Sequence, residues 1–325
     1  GVREEGNYRE EASGEDTGAS ILHVAVEMSA EERGRLEEAR TLLLKAREAR
    51  VRPGRDDKVL TDWNGLMIAA LARGAQVLGE AEYLKAAERA AEFILARMSA
   101  GEGKLLHRYR EGEAAVPGYV DDCSFLAWGL IELYEASFEG RHLRRALELT
   151  DYLLRAFWDE ERGGFYFSSA DHEELLVRQK ETYDGAVPSG NSVAMLNLLR
   201  LARLTGRAEY EARAAELSRA FGAEVRRSPA AHAQLLCGVD FAVGPASEVL
   251  LVGEKLAEMV EAVRGRFLPN VVVLVKTEEV GELAPFVARY GAVDGRTTAY
   301  VCSGQTCSAP VVEVEELVRL LGGKG

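Results

Sequence analysis

An internal repeat constrains this chain more than any other feature of its sequence. The segment Glu82 to Phe93 (EYLKAAERAAEF) matches Arg141 to Tyr152 (RHLRRALELTDY) at an offset of 59, and a third copy starts at Glu209, 68 residues further on. Carried back by the same offsets, Trp63-Asn64-Gly65-Leu66 falls on Asp122-Cys123-Ser124-Phe125 and on Gly190-Asn191-Ser192-Val193, each opening an apolar run. From about Ser29 to Phe221 apolar residues recur at helical spacing, as in Leu66, Ala69, Ala70, Val77 and in Phe125, Leu126, Leu130, Leu133. The pattern predicts three helical hairpins. Each pairs an inner helix rich in Leu, Ala and Met with an outer helix richer in Glu and Arg, joined by turns at Leu78-Gly79, Phe138-Glu139-Gly140 and Leu204-Thr205-Gly206-Arg207.

Strand-like stretches at Leu105 to Tyr109 and Phe165 to Phe167 lie between the hairpins, each followed by Val-Pro (Val116-Pro117, Val187-Pro188), and return the chain to one end. The expected fold is mainly α: a partial α/α toroid of about three hairpins, half of a six-hairpin ring, with a small C-terminal α/β segment. In that segment Glu248 to Gly253 and Asn270 to Lys276 read as strands flanking a helix from Lys255 to Phe267, a βαβ-like unit. A third strand at Thr298 to Cys302 and a helix from about Val312 to Leu321 follow. No phosphate-cradling glycine motif follows either of the first two strands, so a nucleotide is not expected there. Residues 1–28 read as a linker, 29–238 as the toroid hairpins and 239–325 as the α/β segment.

Forty Lys and Arg against 53 Asp and Glu give a formal charge of −13, which argues against nucleic acid and anionic membranes as partners. Apolar runs such as Val271 to Val275 fall far short of the roughly 20 residues a membrane span needs. Four cysteines in 325 residues fit a reducing compartment, and a cytoplasmic location is expected. The polar opening GVREEGNYREEASGEDTGAS, with Gly1 in place of Met, reads as a fragment or processed product.

Arg52 to Gly65 is dense in charged, aromatic and amide side chains just before the first inner helix, and a ring of such loops makes a polar cup. Carbohydrate sites pair hydrogen-bonding carboxylates and amides with aromatic faces, and hydrolytic ones need two carboxylates at a set separation. Asp57, Lys58, Trp63, Asn64, Arg108, Tyr183, Asp184 and Asn191 are therefore the candidate sugar-binding residues. Asp121 and Asp122 are candidate general acids or bases, with helix capping as the competing reading. His107 is the candidate proton shuttle, set against a plain half-exposed hairpin residue. His142, His172 and His232 have no metal-ligand spacing to another ligand, so no metal site and no cofactor are expected. Cys302 and Cys307 admit a labile disulfide or a thiophilic partner, and buried thiols are the reading preferred.

Leu43-Leu-Lys-Ala-Arg, Arg52-Pro53, Asp56-Asp57-Lys58, Leu60-Thr61 and Trp63-Asn64-Gly65-Leu66-Met67-Ile68 together resemble the spermatogenesis-associated protein 20 family. Tyr119-Val120-Asp121-Asp122, Gly163-Gly164-Phe165-Tyr166, Asp184 to Asn191 and Tyr300-Val301-Cys302 with Cys307 and Pro310 agree with it in order. The resemblance implies a thioredoxin-like domain, then a six-hairpin toroid similar to N-acylglucosamine 2-epimerases and six-hairpin glycosidases, with this chain as the C-terminal half. It implies a missing N-terminal half as partner and, by fold analogy, carbohydrate metabolism. The leading expectation is a sugar-binding toroid with epimerase- or isomerase-like chemistry ahead of glycoside hydrolysis. The rival is a non-catalytic, thioredoxin-linked binding or quality-control scaffold.

Overall fold

The computed structural model describes residues 4–24, 26–171, 176–304 and 306–322. They fall into two units, divided after Asp56. In the first, an Asn7-centred loop is closed by hydrogen bonds between Asn7 and Ile21, and α1 (Ala30–Glu48) follows. Ser29 starts α1 with a capping box: its hydroxyl accepts from the Glu32 N–H while Glu32 accepts from the Ser29 N–H.

The second unit begins with β1 (Val59–Leu60) and the first hairpin, α2 (Thr61–Leu78) and α3 (Ala81–Arg97). A small antiparallel sheet of β1, β2 (Ser99–Gly101), β3 (Lys104–Arg110) and β4 (Glu113–Pro117) comes next. The second hairpin is α4 (Val120–Ser137) with α5 (Gly140–Ala156), and the third is α6 (Gly190–Thr205) with α7 (Ala208–Arg227). Helix α8 (Ala233–Val243) packs on α6 as a further inner helix. The inner helices run α2, α4, α6, α8 side by side, and α3, α5 and α7 cover their outer faces.

The repeat is thus one of packing as well as sequence. Helices α4 and α6 are buried on nearly every side, which explains why their sequences are apolar all round. Close approach of α2 to α4 depends on glycine: a Cβ at Gly65 would lie 2.5 Å from the Leu126 nitrogen, and one at Gly129 would lie 2.9 Å from the Gly65 carbonyl oxygen. The inner helices α2, α4 and α6 end on a residue with positive φ, Gly79 (70°), Phe138 (58°) and Gly206 (75°). Phe138 adopts this region without glycine's freedom, and its ring packs edge-on to Tyr134 and beneath the Arg264 guanidinium.

The C-terminal sheet has the order β6-β5-β7-β8, from β5 (Ser247–Val252), β6 (Val271–Val275), β7 (Thr298–Ser303) and β8 (Thr306–Cys307). Strands β5 and β6 are parallel, with α9 (Ala257–Arg264) crossing between them, so the βαβ expectation holds. Helix α10 (Glu278–Leu283) follows β6, and α11 (Val314–Leu321) closes the chain. Two expectations are corrected. Phe165–Phe167 forms a single bridge, Trp158 to Phe165, rather than a strand, because the Tyr166 and Phe167 N–H groups donate to two different segments, at Phe157 and Gln179. Cys302 and Cys307 are not buried thiols; they face each other in register on β7 and β8 and are joined as a disulfide. Among the described residues no helix is long and apolar enough to cross a membrane.

Candidate functional site

The N-termini of α2, α4 and α6 lie at the same end of the hairpins, where β3 also passes. Asp122, in the first turn of α4, is fully buried there. Its Oδ2 accepts from the Tyr119 N–H (2.8 Å) and its Oδ1 from the Asp62 N–H (3.0 Å), so it caps its own helix and ties in the start of α2. Both oxygens also meet His107 Nδ1, at 3.0 and 3.1 Å. One carboxylate thus caps the helix and holds the His107 imidazole.

His107 reaches this position from β3 and stays a quarter exposed. Its hydrogen bond to Asp122 raises its pKa, against partial burial, with Asp122, Asp62 and Asp121 adding to the rise. Because Nδ1 is turned to the buried carboxylate, Nε2 is the nitrogen left for other work. Asp121, the next acid along, is half-buried, and burial together with the Asp122 charge pushes its pKa up to about 7. Its carboxylate accepts from the Gly190 N–H, and a Cβ at Gly190 would come within 2.4 Å of Asp121 Oδ1, so only glycine permits this contact. Burial, then Asp122, also raise the pKa of Asp62.

Aromatic surface flanks the pair. Tyr119 meets His107 edge-on at 5.3 Å and stacks on Phe167 at 4.7 Å. Phe167, Tyr183, Glu181, Asp121 and Ser189 line a cleft of about 240 Å³. Trp63 and Tyr183 are 62% and 60% exposed, open to a ligand rather than needed for packing.

The other expected site residues are distributed around this end and beyond it. Asn191 is buried and clamps the Phe165 backbone through both its N–H and C=O while donating to the Glu181 carbonyl. Asp184 accepts from the N–H groups of Ser189, Gln234 and Leu235, and Asn64 donates to the Leu60 carbonyl. Asp57 is an exposed ion-pair partner of Arg110 at 2.9 Å. Arg108 is half-buried on β3, one residue past His107, and Lys58 is exposed just before β1. His232 is buried with Nδ1 against the Thr182 carbonyl, and His172 lies outside the described residues. Sequence reading missed Phe167 as a stacking platform and Asp62 as a third acid beside His107. The one available signal was the placement of Asp62 and Asp121-Asp122 at equivalent helix starts.

Asp62, His107 and Asp122 each offer a ligand atom within 4.8 Å of the others. The Asp122 oxygens are already engaged by two backbone N–H groups and the imidazole, which favours a hydrogen-bonded dyad over cation coordination at this spot.

The fold is that of a partial α/α toroid with a histidine–carboxylate pair at its loop-bearing end. Across 99% of its length the chain is a relative of spermatogenesis-associated protein 20: it is 32% identical to the Homo sapiens protein and 31% identical to that of Rattus norvegicus over 351 residues. It spans 45% and 44% of those proteins, less than half their length. No protein-family model matches the chain. Solved structures similar to it include a GH76 α-mannanase of Bacteroides thetaiotaomicron (TM-score 0.45, 15% identity, 54% of this chain and 47% of that one). A cellobiose 2-epimerase from Bacillus thermoamylovorans is another (TM-score 0.44, 16% identity, 52% and 46%).

Proposed function

We propose that this end of the hairpin array binds a sugar and moves a proton on it, in the manner of an epimerase or isomerase. The observation that carries the reading is His107 Nδ1 held against a fully buried carboxylate, with its ring still open to solvent. Such a pair fixes the tautomer, so that Nε2 accepts a proton while Asp122 stabilises the imidazolium formed. Here Nε2 takes the proton from the carbon next to an open-chain sugar carbonyl. The C–H electron pair forms a double bond to the carbonyl carbon while the carbonyl π pair moves onto its oxygen, giving an enediolate, and a proton returned to the opposite face restores the carbonyl and completes the inversion. Asp121, poised near neutrality, is suited to supply that proton. Trp63, Phe167 and Tyr183 offer apolar faces for the sugar ring.

A binding-only rim is the second reading, favoured by the engagement of Asn64, Asp184 and Asn191 with backbone instead of the cleft. The experiment is incubation with reducing mono- and disaccharides in D₂O, following deuterium at C2 by NMR. Exchange abolished by His107→Gln and weakened in KM by Trp63→Ala supports the catalytic reading. Saturable binding without exchange supports the second, and neither binding nor exchange overturns both.

A further inference from the structure

The geometry points to a divalent transition-metal site, best suited to Zn²⁺, formed by Glu88, Glu139 and His142 where α3 meets the start of α5. Their ligand atoms lie within 4.8 Å of one another. His142 is 4% exposed, yet its Nε2 is buried without a hydrogen-bond partner and stands 3.8 Å from Glu139 Oε2. A buried imidazole nitrogen left unsatisfied is costly, and native structures seldom keep one without an ion, a water or a role. Zinc bonded at about 2.1 Å to each of two donors holds them about 3.4 Å apart, so the His142–Glu139 pair, at 3.8 Å, closes on an ion with a shift of a few tenths of an ångström, while Glu88, within 4.8 Å, moves by up to about 1.4 Å.

The internal repeat supplies a control within the same molecule. One hairpin further on, at an offset of 68, Glu139 and His142 correspond to Arg207 and Tyr210, and Glu92 corresponds to Asp151 at an offset of 59. There the joint is self-sufficient: Arg207 donates to the Tyr210 hydroxyl and to Asp151, and Tyr210 donates to Asp151. At the α3–α5 joint the cation of that triad is replaced by a carboxylate and the hydroxyl by an imidazole. Three acids, Glu88, Glu92 and Glu139, then gather around one histidine, and Arg141, paired with Glu139 and Glu92, is the cation there among the described residues. A metal ion supplies the missing positive charge and gives His142 Nε2 a partner. One nitrogen and two carboxylates form a borderline donor set that suits Zn²⁺ better than Ca²⁺ or Mg²⁺.

This site lies at the opposite end of α4 from His107, about 25 Å along the helix axis at 1.5 Å per residue. Its role is to staple the first and second hairpins at their turn end. The test is titration of the chelator-treated full chain with Zn²⁺ by calorimetry, and with Co²⁺ by visible absorption. About one equivalent should bind, with a Co²⁺ ligand-field band and a rise in Tm. His142→Gln and Glu88→Gln should each weaken binding about tenfold or more, whereas His107→Gln should leave it unchanged. Glu88→Gln covers the case in which His142→Gln fails to fold. Absence of stoichiometric binding, or binding that survives both variants, or binding lost only in His107→Gln, overturns the assignment.

Discussion

Helix α4 carries a buried acidic cluster near each end, and the two are resolved differently. In its C-terminal half, Glu132 and Glu135 share Arg200 of α6, at 2.6 and 2.8 Å, with all three residues buried. Trp128 donates to Glu132, and the Val273 N–H of β6 donates to Glu135. Burial would lower the Arg200 pKa, but the two carboxylates outweigh it and hold it above its usual value. With Arg73 3.7 Å from Glu132, two guanidinium groups meet the two carboxylates, and the cluster joins α4, α6 and the C-terminal sheet. At the N-terminal end, Asp62, Asp121 and Asp122 face one histidine, and among the described residues no arginine is bonded to them. Excess acid held with a titratable partner is what moves pKa values toward neutrality, so the first cluster builds structure and the second is the one on which the proposed proton transfer rests.

The contrast breaks most visibly at Arg200. Arg200→Met strands two buried carboxylates and should cost about 3–5 kcal/mol in chemical denaturation. A cost under about 1 kcal/mol would mean that the cluster is solvated and the contrast false.

Asp122→Ala should cost less, about 1–3 kcal/mol, from two backbone N–H groups and one helix cap left unsatisfied. Asp122→Asn sharpens the point by NMR titration, because the His107 pKa should fall once the charged partner is gone. Since the folded-state pKa of His107 is raised, its stabilisation is present below the unfolded value of about 6.5 and is lost as pH rises through the folded value. His107→Gln should flatten that dependence, and an unchanged profile would show that the pair does not form.

Asp121 has the same sign from the opposite chemistry. Its raised pKa means that the fold favours the protonated acid, so stability declines as pH climbs from about 4 toward 7. Asp121→Asn should remove that decline and gain stability at pH 8 relative to the parent, read from Tm against pH. The smallest effect belongs to Asp57→Ala, which removes an exposed ion pair with Arg110 and should change stability by about 0.5 kcal/mol or less. A larger loss would place Asp57 in a network rather than on a solvated edge.

The hairpins were legible because helical periodicity is local: residues three and four apart share a face whatever the rest of the chain does. The 59- and 68-residue offsets made the inner and outer helices of each pair visible in advance, and the turns ending on Gly79, Phe138 and Gly206 followed. The strand reading of Phe165–Phe167 failed for a related reason. A run of three aromatics suits a strand, but a strand needs a continuous partner, and here the N–H groups of Tyr166 and Phe167 are divided between Phe157 and Gln179.

At the candidate site the sequence marked the right neighbourhood without separating the roles within it. Asp122 and Asn191 sit at repeat-equivalent helix starts, yet one carboxylate holds a histidine while the amide staples a loop. That division depends on which segment passes each helix end, β3 with His107 in one case and the Phe165 backbone in the other. Cys302 and Cys307 were likewise ambiguous until strand register put them face to face. Sequence alone determined the periodic elements, their order and the acidic, polar character of one end of the array. Tertiary structure decided which acids lack a matching cation and which histidine nitrogens face a carboxylate or stand bare. Those properties arise from groups far apart in sequence, Glu88 and His142 within 4.8 Å of each other and the Asp62 N–H bonded to Asp122, brought together by helix packing that no local pattern encodes.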